Sequence, residues 1–564
     1  MKTEAYTPKL LTVFREGYSA AAFRADAIAG LTVAIVALPL AMALGIASGA
    51  SPDKGLITAV VAGFLISALG GSRVQVGGPT GAFVVVIFNV IASHGYDGLL
   101  IATLLAGIIL IAAGLLRFGQ MIKYIPHPVV TGFTAGIAVI IASSQVKDFL
   151  GLAIDKVPAD FLPKWLAYLG ALPSANWAAI GVGAGALAII IALRKFAPRL
   201  PGFLIAVVVS SLAVALLNLP VDTIGSRFPD IPAGIPVPSF PDISLAKINA
   251  VLPSAFTIAF LAGIEALLSA VVADGMAGTR HRSNQELIGQ GVANLGSALF
   301  GGLPATGAIA RTATNIRSGA KTPVAGMMHA AFLLVFILFG TDLMAYVPMA
   351  ALAAILFMVA WGMSEYQRFL ALLRMPNSDR AVLLITFGLT VLVDLTVAIA
   401  VGVTLASLLF MARMAEAVEV DRSGRRDAEL DAEDLDQRDD LPPCVEVFRI
   451  AGPFFFGVAG ELLDTLRRVG QSPRVIILRM RLVPLLDASG AQALEEFVEQ
   501  ARLAGARVIV SGVQPQPRAM LGRIGLGEAA GRIAYAADYA DAQALAVDLA
   551  AGGRENPILT KSGE

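Results

Sequence analysis

The chain has 564 residues, of which 56% are apolar and 15% are charged, and its 42 basic and 42 acidic side chains cancel. This composition excludes an ordinary soluble protein and indicates an integral membrane protein with many helical spans. The single cysteine, Cys444, excludes an internal disulfide and any cysteine-based metal site, and the four histidines do not stand at metal-ligand spacing. We therefore expect neither a bound metal nor a cofactor.

Changes in composition divide the chain into five segments. Residues 1–24 lack the pattern of a signal peptide and are interpreted as a cytosolic arm. Residues 25–415 are apolar and form the predicted transmembrane domain, whereas residues 416–443 are mostly acidic and are interpreted as a linker. Residues 444–551 return to the composition of a soluble domain, and residues 552–564 form a tail.

Glycine, proline and charged residues divide the apolar segment into about fourteen predicted helical spans. These spans are 25–47, 54–71, 80–93, 97–116, 128–146, 177–194, 201–219, 252–275, 286–300, 306–317, 322–341, 347–363, 380–395 and 397–415. Basic residues concentrate in the loops that follow even-numbered spans, as the positive-inside rule expects for a cytosolic N-terminus. An even number of spans places the C-terminal domain in the cytosol too, and we expect the protein in the cell membrane.

The third predicted span begins with an interruption, in the stretch GSRVQVGGPTGAFVVVIFNV at residues 71–90. The apolar run after Gly81 is only about 18 Å long as a helix, whereas the hydrocarbon core of a bilayer is about 30 Å thick. We therefore predict a broken span, with an extended approach over residues 77–80 and a half-helix that starts near mid-membrane. Lipid cannot satisfy bare backbone groups, so the break must face protein or a water-filled cavity.

A second interruption has the same pattern. SALGGSRVQVGGPTGA at 67–82 resembles SALFGGLPATGA at 297–308, and the two stretches precede the third and tenth predicted half-helices. Seven spans separate them, so the two halves enter the membrane from opposite sides as an inverted repeat. One such break is most simply a packing kink, but two matched breaks indicate a transporter's binding site. Opposed half-helices would aim their N-termini at one another, which favours an anion.

Two charged residues stand inside predicted spans, where charge is expensive. Arg311, four residues into the second half-helix, adds a full positive charge to the predicted anion site. Glu265 lies in the middle of the eighth span, and three interpretations are open for it: a proton or sodium coupling site, a salt-bridge partner of Arg311, or a neutral carboxyl bonded to backbone. Asp274, near the inner end of that span, is expected to cap it or to pair with Arg280 or Arg282.

The C-terminal segment has the alternation of a small α/β sandwich. Strands are predicted at 445–450, 475–480 and 507–511, with amphipathic helices at about 458–469 and 489–504. No phosphate-binding or dinucleotide-binding glycine loop follows a strand, so nucleotide hydrolysis is not expected.

These residues resemble the sulfate permease (SulP) family of anion transporters over nearly the whole chain. The resemblance depends on DAIAGLTVAIVALPLAMALGIASGASP (26–52), VGGPTGAFVVVI (76–87), IPHPVVTGFTAGIAVII (125–141), EALLSAVVADGM (265–276) and SNQELIGQGVANLGSALFGGLPATGAIARTATNIRSGAKTP (283–323). It implies an all-α polytopic membrane domain with a seven-plus-seven inverted repeat, core and gate subdomains, an elevator-type motion, and dimers.

The resemblance also implies a set of site residues. The anion would contact the two breaks, Arg311 and the first span, and Glu265 would be the coupling residue; the breaks and first span contribute Pro39, Leu40, Thr80, Gly81, Ala82, Gly307, Ala308 and Ile309. Many family members have glutamine where this chain has Leu40, so one polar contact is absent, and bicarbonate or a dicarboxylate fits as well as sulfate. Ile309 has no hydroxyl that could bind sodium, which favours the proton as the coupling ion.

The C-terminal domain resembles the STAS domain shared by sulfate transporters and anti-sigma-factor antagonists. In LDASGA (486–491), Ser489 holds the position that is phosphorylated in the antagonists, which implies a regulatory residue and a cytosolic protein partner. The simpler interpretation is that Asp487 and Ser489 cap the following helix.

The function expected from these patterns is proton-coupled secondary active transport of a small anion, such as sulfate, bicarbonate or a dicarboxylate, with no nucleic-acid partner. Three alternatives stay open: an anion channel of the same fold, a sodium-coupled bicarbonate symporter, and a membrane-anchored regulatory scaffold. An enzyme is not expected, because the spans contain neither a nucleophile–base pair nor a metal set.

Overall fold

The computed structural model describes residues 6–120, 126–154, 157–158, 160–198, 200–229, 234–393, 395–416, 419–422, 441–455, 473–527 and 532–551. It divides into two compact units, Met1–Ala406 and Ser407–Glu564. The first unit is almost entirely helical, and the second contains a sheet.

The helices of the first unit account for every apolar segment that the sequence predicts. They are α1 (Lys9–Glu16), α2 (Ala20–Ala47), α3 (Pro52–Leu69), α4 (Val84–Leu115), α5 (His127–Leu150), α6 (Phe161–Ala171), α7 (Trp177–Phe196), α8 (Gly202–Leu217), α9 (Ile224–Arg227), α10 (Leu245–Ala277), α11 (Ser283–Leu299), α12 (Ile309–Arg317), α13 (Val324–Phe339), α14 (Thr341–Met344), α15 (Met349–Met363), α16 (Tyr366–Leu372), α17 (Asn377–Leu392) and α18 (Leu395–Glu416), which continues into the second unit.

Eight helical segments in the described part of the chain are long and apolar enough to cross a membrane, and α8 and α13 are shorter apolar helices. The third and fourth predicted spans correspond to two helical parts of α4, which are separated at Gly95, where a φ of 70° and a ψ of −178° leave the helical conformation. Glycine adopts this positive φ without the strain that a Cβ would bring. The sequence analysis missed α1, α6, α9, α14 and α16, because they lie outside the long apolar runs that define the predicted spans.

The long helices pack in two groups. In the first, α4 lies against α10 and α11, α13 lies against α2 and α3, and α12 contacts α2 and α10. In the second, α5 lies against α15 and α17, and α7 lies against α8 and α15. We call these the core group (α2, α3, α4, α10, α11, α12, α13) and the gate group (α5, α7, α8, α15, α17). Each combines helices from both halves of the chain, as an inverted repeat requires.

The second unit contains a five-stranded sheet in the order β3-β4-β5-β6-β7. The strands are β3 (Glu419–Arg422), β4 (Val445–Ala451), β5 (Val475–Leu482), β6 (Arg507–Ser511) and β7 (Ala534–Ala536), and the helices are α19 (Ala488–Leu503), α20 (Pro515–Arg523) and α21 (Tyr539–Ala550). β3 is antiparallel to β4, and all other neighbours are parallel.

Alternate strand residues supply two separate apolar cores, one on each face of this sheet. Phe448 and Leu478 pack with Phe497 of α19, whereas Val447 and Ile477 pack on the opposite face. This alternation follows from the period of two in a strand and puts helices on both faces.

The structure confirms three predicted strands and one predicted helix of the second unit. The predicted helix at 458–469 lies outside the described residues. The predicted linker 416–443 is wrong at its start, because Glu419–Arg422 pairs with Phe448–Ala451 as a fifth strand. Most of the remaining linker and the tail 552–564 also lie outside the described residues.

Candidate functional site

Two short strands cross inside the core group at the predicted breaks. β1 (Gly77–Gly78) pairs antiparallel with β2 (Thr306–Gly307), with Gly77 opposite Gly307. The amide of Ala308 also donates to the carbonyl oxygen of Val76 at 2.9 Å. Each break therefore satisfies backbone groups of the other within the apolar interior, where lipid offers no partner. Both predicted interruptions are confirmed as extended backbone.

A helix begins immediately after each strand. A single 3₁₀ turn, Gly81–Phe83, leads into α4, and α12 starts at Ile309. Neither Thr80 nor Ala308, the residues that precede these helical segments, caps the helix with its side chain. The strand pair thus brings together two helix N-termini whose first amides carry partial positive charge.

Arg311 supplies a full positive charge beside this crossing. It is the third residue of α12 and is only 3% exposed. Its Nη2 donates to the carbonyl oxygen of Pro79 at 3.0 Å, while Nε and Nη1 have no hydrogen-bond partner among the described residues. A buried guanidinium with unused donors favours an anionic ligand, because an uncompensated buried charge is expensive.

Glu265 of α10 lies at the same crossing but does not pair with Arg311. Its Oε2 accepts a hydrogen bond from the hydroxyl of Thr80 at 2.9 Å, and the side chain is partly exposed. No ion pair within 4.0 Å joins Glu265 to Arg311 in the described structure, so the salt-bridge alternative is wrong. The backbone-bonded alternative is also wrong, because the partner is a hydroxyl. A proton or sodium coupling role stays a prediction.

The other predicted site residues divide into two sets. Gly81, Ala82, Gly307 and Ala308 are buried at the two breaks, whereas Ile309 is 42% exposed. Pro39 is buried inside α2 and Leu40 is partly buried there, on a helix that packs against α12. Their contact with an anion stays a prediction.

The first break also touches the gate group. A Cβ added at Gly81 would lie 2.7 Å from the sulfur of Met363 in α15 and 3.1 Å from Cδ1 of Ile141 in α5. The crossing therefore lies against helices of the other group, and Gly81 leaves no room for a side chain between them.

Sequence reasoning missed the buried polar side chains that hold the first break in place. Glu286 of α11 accepts hydrogen bonds from the amides of Gly71 and Ser72 at 2.7 and 3.1 Å. Thr312 accepts from the amide of Val76 at 3.1 Å, and Asn315 donates to the carbonyl oxygen of Val74 at 2.9 Å. A carboxylate at the start of the predicted span 286–300 was the available signal, since charge in a span rarely lacks a role.

Asp274 bonds to groups just beyond the end of α10, as the capping alternative expects, and not to an arginine. Its carboxylate lies 2.7 Å from Nδ1 of His281, and it also accepts from the His281 amide at 2.9 Å. The pairing with Arg280 or Arg282 is wrong, because α10 ends at Ala277 and the left-handed turn at Gly278 returns His281 to the helix end. Arg282 donates instead to Thr12.

A cavity of about 220 Å³ lies away from the crossing, among α5, α7, α9 and α15. Its lining contains two cations, of which Arg227 lies 2.8 Å from Asp148 and 3.5 Å from Asp222, whereas Lys147 donates to the carbonyl oxygen of Ile154. None of the residues that line it belongs to either break, so the cavity is separate from the crossing.

In the second unit, Asp487 caps α19 as predicted, accepting from the amide of Gly490 at 2.7 Å. Ser489 is not a cap. It is the second residue of α19 and is exposed. Its regulatory role stays a prediction.

The chain matches two family models, the sulfate permease family over residues 23–386 and the STAS domain over residues 437–535. It is 41% identical to the putative sulfate transporter YvdB of Bacillus subtilis, over 91% of this chain and 95% of that protein. It is 34% identical to the bicarbonate transporter BicA of Picosynechococcus sp., over 89% and 91% of the two chains.

Solved structures agree with these matches. The transmembrane domain of a cyanobacterial bicarbonate transporter BicA is 31% identical, with a TM-score of 0.60, over 69% of this chain and 98% of that chain. SLC26A9 is 17% identical, with a TM-score of 0.84 over 98% and 94% of the two chains, which supports the fold alone. The chain therefore belongs to the sulfate permease family, a family of multi-pass membrane transporters of anions rather than enzymes, and it carries a C-terminal STAS domain.

Proposed function

We propose that this protein carries out proton-coupled secondary active transport of a small oxyanion, bound at the crossing of β1 and β2. The observation that carries the proposal is the Arg311 guanidinium, which is buried at this crossing with two N–H-bearing nitrogens unused. Two uncapped helix N-termini add partial positive charge at the same place.

The charge at the crossing favours bicarbonate over sulfate. Arg311 balances one negative charge, and Leu40 and Ile309 offer an anion no hydrogen bond. Sulfate carries two negative charges, so the helix N-termini alone would have to balance the second one. An unbalanced charge in these buried surroundings costs a large free energy. The names of the relatives cover both anions, bicarbonate for BicA and sulfate for YvdB. Dicarboxylates are the third class to test.

Glu265 is the proposed coupling residue. Its carboxylate binds Thr80, the residue that precedes the first half-helix, so its charge lies close to any anion held there. An anion and an ionised carboxylate at one site repel each other, so the anion binds more readily when Glu265 holds a proton. Movement of the anion with this proton is symport.

The border between the two helix groups suggests the motion. The crossing belongs to the core group, and Gly81 packs against Ile141 and Met363 of the gate group. An elevator-type displacement of the core group along the gate group would move the bound anion between the two faces of the membrane. We further propose that the protein works in the cell membrane as a homodimer with both termini in the cytosol, where the STAS domain binds a protein partner.

Uptake by purified protein in liposomes tests this function. Labelled bicarbonate, sulfate and a dicarboxylate are supplied under an inward proton gradient, an inward sodium gradient, or neither. We expect saturable bicarbonate uptake that the proton gradient drives. Uptake driven only by sodium would replace the proposal with the sodium-coupled symporter, and ohmic, non-saturating currents would replace it with a channel. No flux of any of these anions would contradict transport and favour a regulatory scaffold.

A further inference from the structure

Helix α6 has its apolar side chains outside and its polar side chains inside. Leu162, Leu166 and Leu169 are exposed along one face, whereas Lys164 and Tyr168, one turn apart, are buried on the other. A surface helix in water has the reverse pattern, and an exposed leucine face is expected where a helix lies against lipid. A lysine near a membrane usually extends towards water with its charged end. The inward direction of Lys164 therefore requires another explanation.

The buried lysine makes no ion pair within 4.0 Å with the described residues, although the carboxylate of Asp160, four residues earlier, attracts its charge. Lys164 is 4% exposed, and its ammonium lies 5.9 Å from the ring centroid of Phe88. Its ammonium makes no hydrogen bond with the described residues, and the hydroxyl of Tyr168, one turn along the helix, is buried without a partner among them. The contact with an aromatic ring is a weak substitute for a hydrogen-bonding anion.

Lys164 lies where the two helix groups meet. Helix α6 packs against α5 and α17 of the gate group, and Trp165 donates to the hydroxyl of Ser143 in α5 at 3.2 Å. Phe88 belongs to α4 of the core group and lies beside Gly49, in the turn between α2 and α3. The phenyl ring and the ammonium thus come from opposite sides of the border along which the core group would move.

Lys164 contacts the first half-helix on the predicted outer side of the candidate site. Phe88 follows Gly81 by seven residues along the first half-helix, which is about 10 Å. The loop that contains α6 connects the fifth and sixth spans and is predicted to lie outside. An anion that approaches Arg311 from this side would pass the ammonium when the core group moves away from it.

We propose that Lys164 is a second, external anion site, which receives the transported oxyanion at the border of the core and gate groups and passes it to Arg311. This inference rests on the proposed function, because the ligand is the anion carried by the crossing. When an anion binds, the ammonium leaves the Phe88 ring and donates its three N–H groups to the anion. The anion thus replaces the ring as the partner of Lys164. Burial lowers the pKa of Lys164, and the carboxylate of Asp160 opposes that shift.

The test measures uptake from each side of the membrane separately. Lys164→Met keeps the length of the side chain and removes its charge, and right-side-out and inside-out vesicles separate external from internal KM for labelled bicarbonate and sulfate. We expect the external KM to rise about tenfold, with an unchanged internal KM and maximal rate, because one charge on an approach path chiefly affects association. Lys164→Arg should restore the external KM to within about twofold.

Matched controls separate this role from a structural one. Lys195→Met removes the same charge from an exposed position on α7 and should leave both KM values unchanged. In the unaltered protein, raising ionic strength with a large impermeant anion should raise the external KM more than the internal one. A wild-type external KM in Lys164→Met, or equal salt effects on both sides, would overturn the external site while leaving the function at Arg311 intact. Absence of anion flux in the unaltered protein would instead remove the proposed function itself.

Discussion

The two breaks in the membrane unit have the same backbone but different chemistry. Each has a two-residue strand followed by an uncapped helix start, and the strands pair with one another. Both charged side chains at the crossing, Glu265 and Arg311, come from the second half of the chain, whereas the first half contributes the hydroxyl of Thr80. The two halves of the inverted repeat therefore supply matching strands and helix starts, which we call the frame of the site. They differ in charge, because both of these charged side chains come from the second half.

This difference shows which part of the site each half provides. The first half provides close backbone approach, because Gly78 lies directly against the guanidinium. The second half provides the charge that attracts an anion and the carboxyl that responds to protons. Variants that remove the charge of Arg311 should reduce anion affinity most. The effect of variants in the two strands should depend on whether the atoms that a new side chain meets can move away.

Arg311→Ala is expected to have the largest effect. It removes the one buried cation described at the crossing, together with two nitrogens whose N–H groups are unused, and we expect anion affinity to fall by about a hundredfold or more. Arg311→Lys keeps the charge without the planar donor pair and should lose about tenfold. Calorimetry on purified protein measures both affinities. An unaltered affinity in Arg311→Ala would remove the residue from the site.

Alanine substitutions at one glycine of each strand, Gly78 in β1 and Gly307 in β2, compare the two strands directly. A Cβ on Gly78 would lie 2.3 Å from Nη1 of Arg311, at a φ of +150° that side chains rarely adopt. A Cβ on Gly307 would lie 1.5 Å from Nε2 of Gln75, the end of a flexible side chain. We expect Gly78→Ala to weaken anion binding by about ten- to a hundredfold, since it displaces the guanidinium and strains the backbone.

The second glycine allows a compensating change. Gly307→Ala should destabilise the protein, and the double variant Gly307→Ala, Gln75→Ala should bind the anion within about threefold of the unaltered protein, because it removes the clashing amide. Thermal unfolding in detergent and calorimetry measure the two effects. If both single variants bind equally well, the frame tolerates a Cβ on either strand and the asymmetry described above is contradicted.

The sequence predicted the two breaks and the long helices better than it predicted the hydrogen bonds between distant residues. Paired glycine and proline residues in matched positions predicted both breaks, and hydropathy predicted the long helices, because these features are local. The bond between Thr80 and Glu265 joins residues 185 positions apart, and the bonds from Glu286 to Gly71 and Ser72 span 215 and 214 positions. Local patterns contain no information about such pairings. The same reason applies to β3, whose short polar sequence forms a strand only through pairing with β4.

Glu265→Gln tests whether the coupling proton binds at the carboxyl that the second half of the chain supplies. The amide cannot release a proton, so a carrier that needs a protonated residue here should bind the anion at every pH. We expect wild-type uptake to rise as the external pH falls and the variant to lose this response, about tenfold across the range tested, while anion binding persists. Proteoliposome uptake at a series of external pH values measures this. A variant that keeps the wild-type pH profile would exclude Glu265 as the coupling residue.

Thr80→Val should have the smallest effect, because it removes only the hydroxyl that the first half contributes. The carboxylate of Glu265 then loses its donor at 2.9 Å, while Arg311 and both strands stay in place. A hydrogen bond to a carboxylate favours its ionised form, so its loss should move the midpoint of the pH response to higher pH, with transport at saturating anion changed by about threefold or less. Thr80→Ser keeps the hydroxyl and should leave the midpoint unchanged. If Thr80→Val reduces anion affinity as strongly as Arg311→Ala does, the first half contributes more than a frame, and the division of roles between the halves is incorrect.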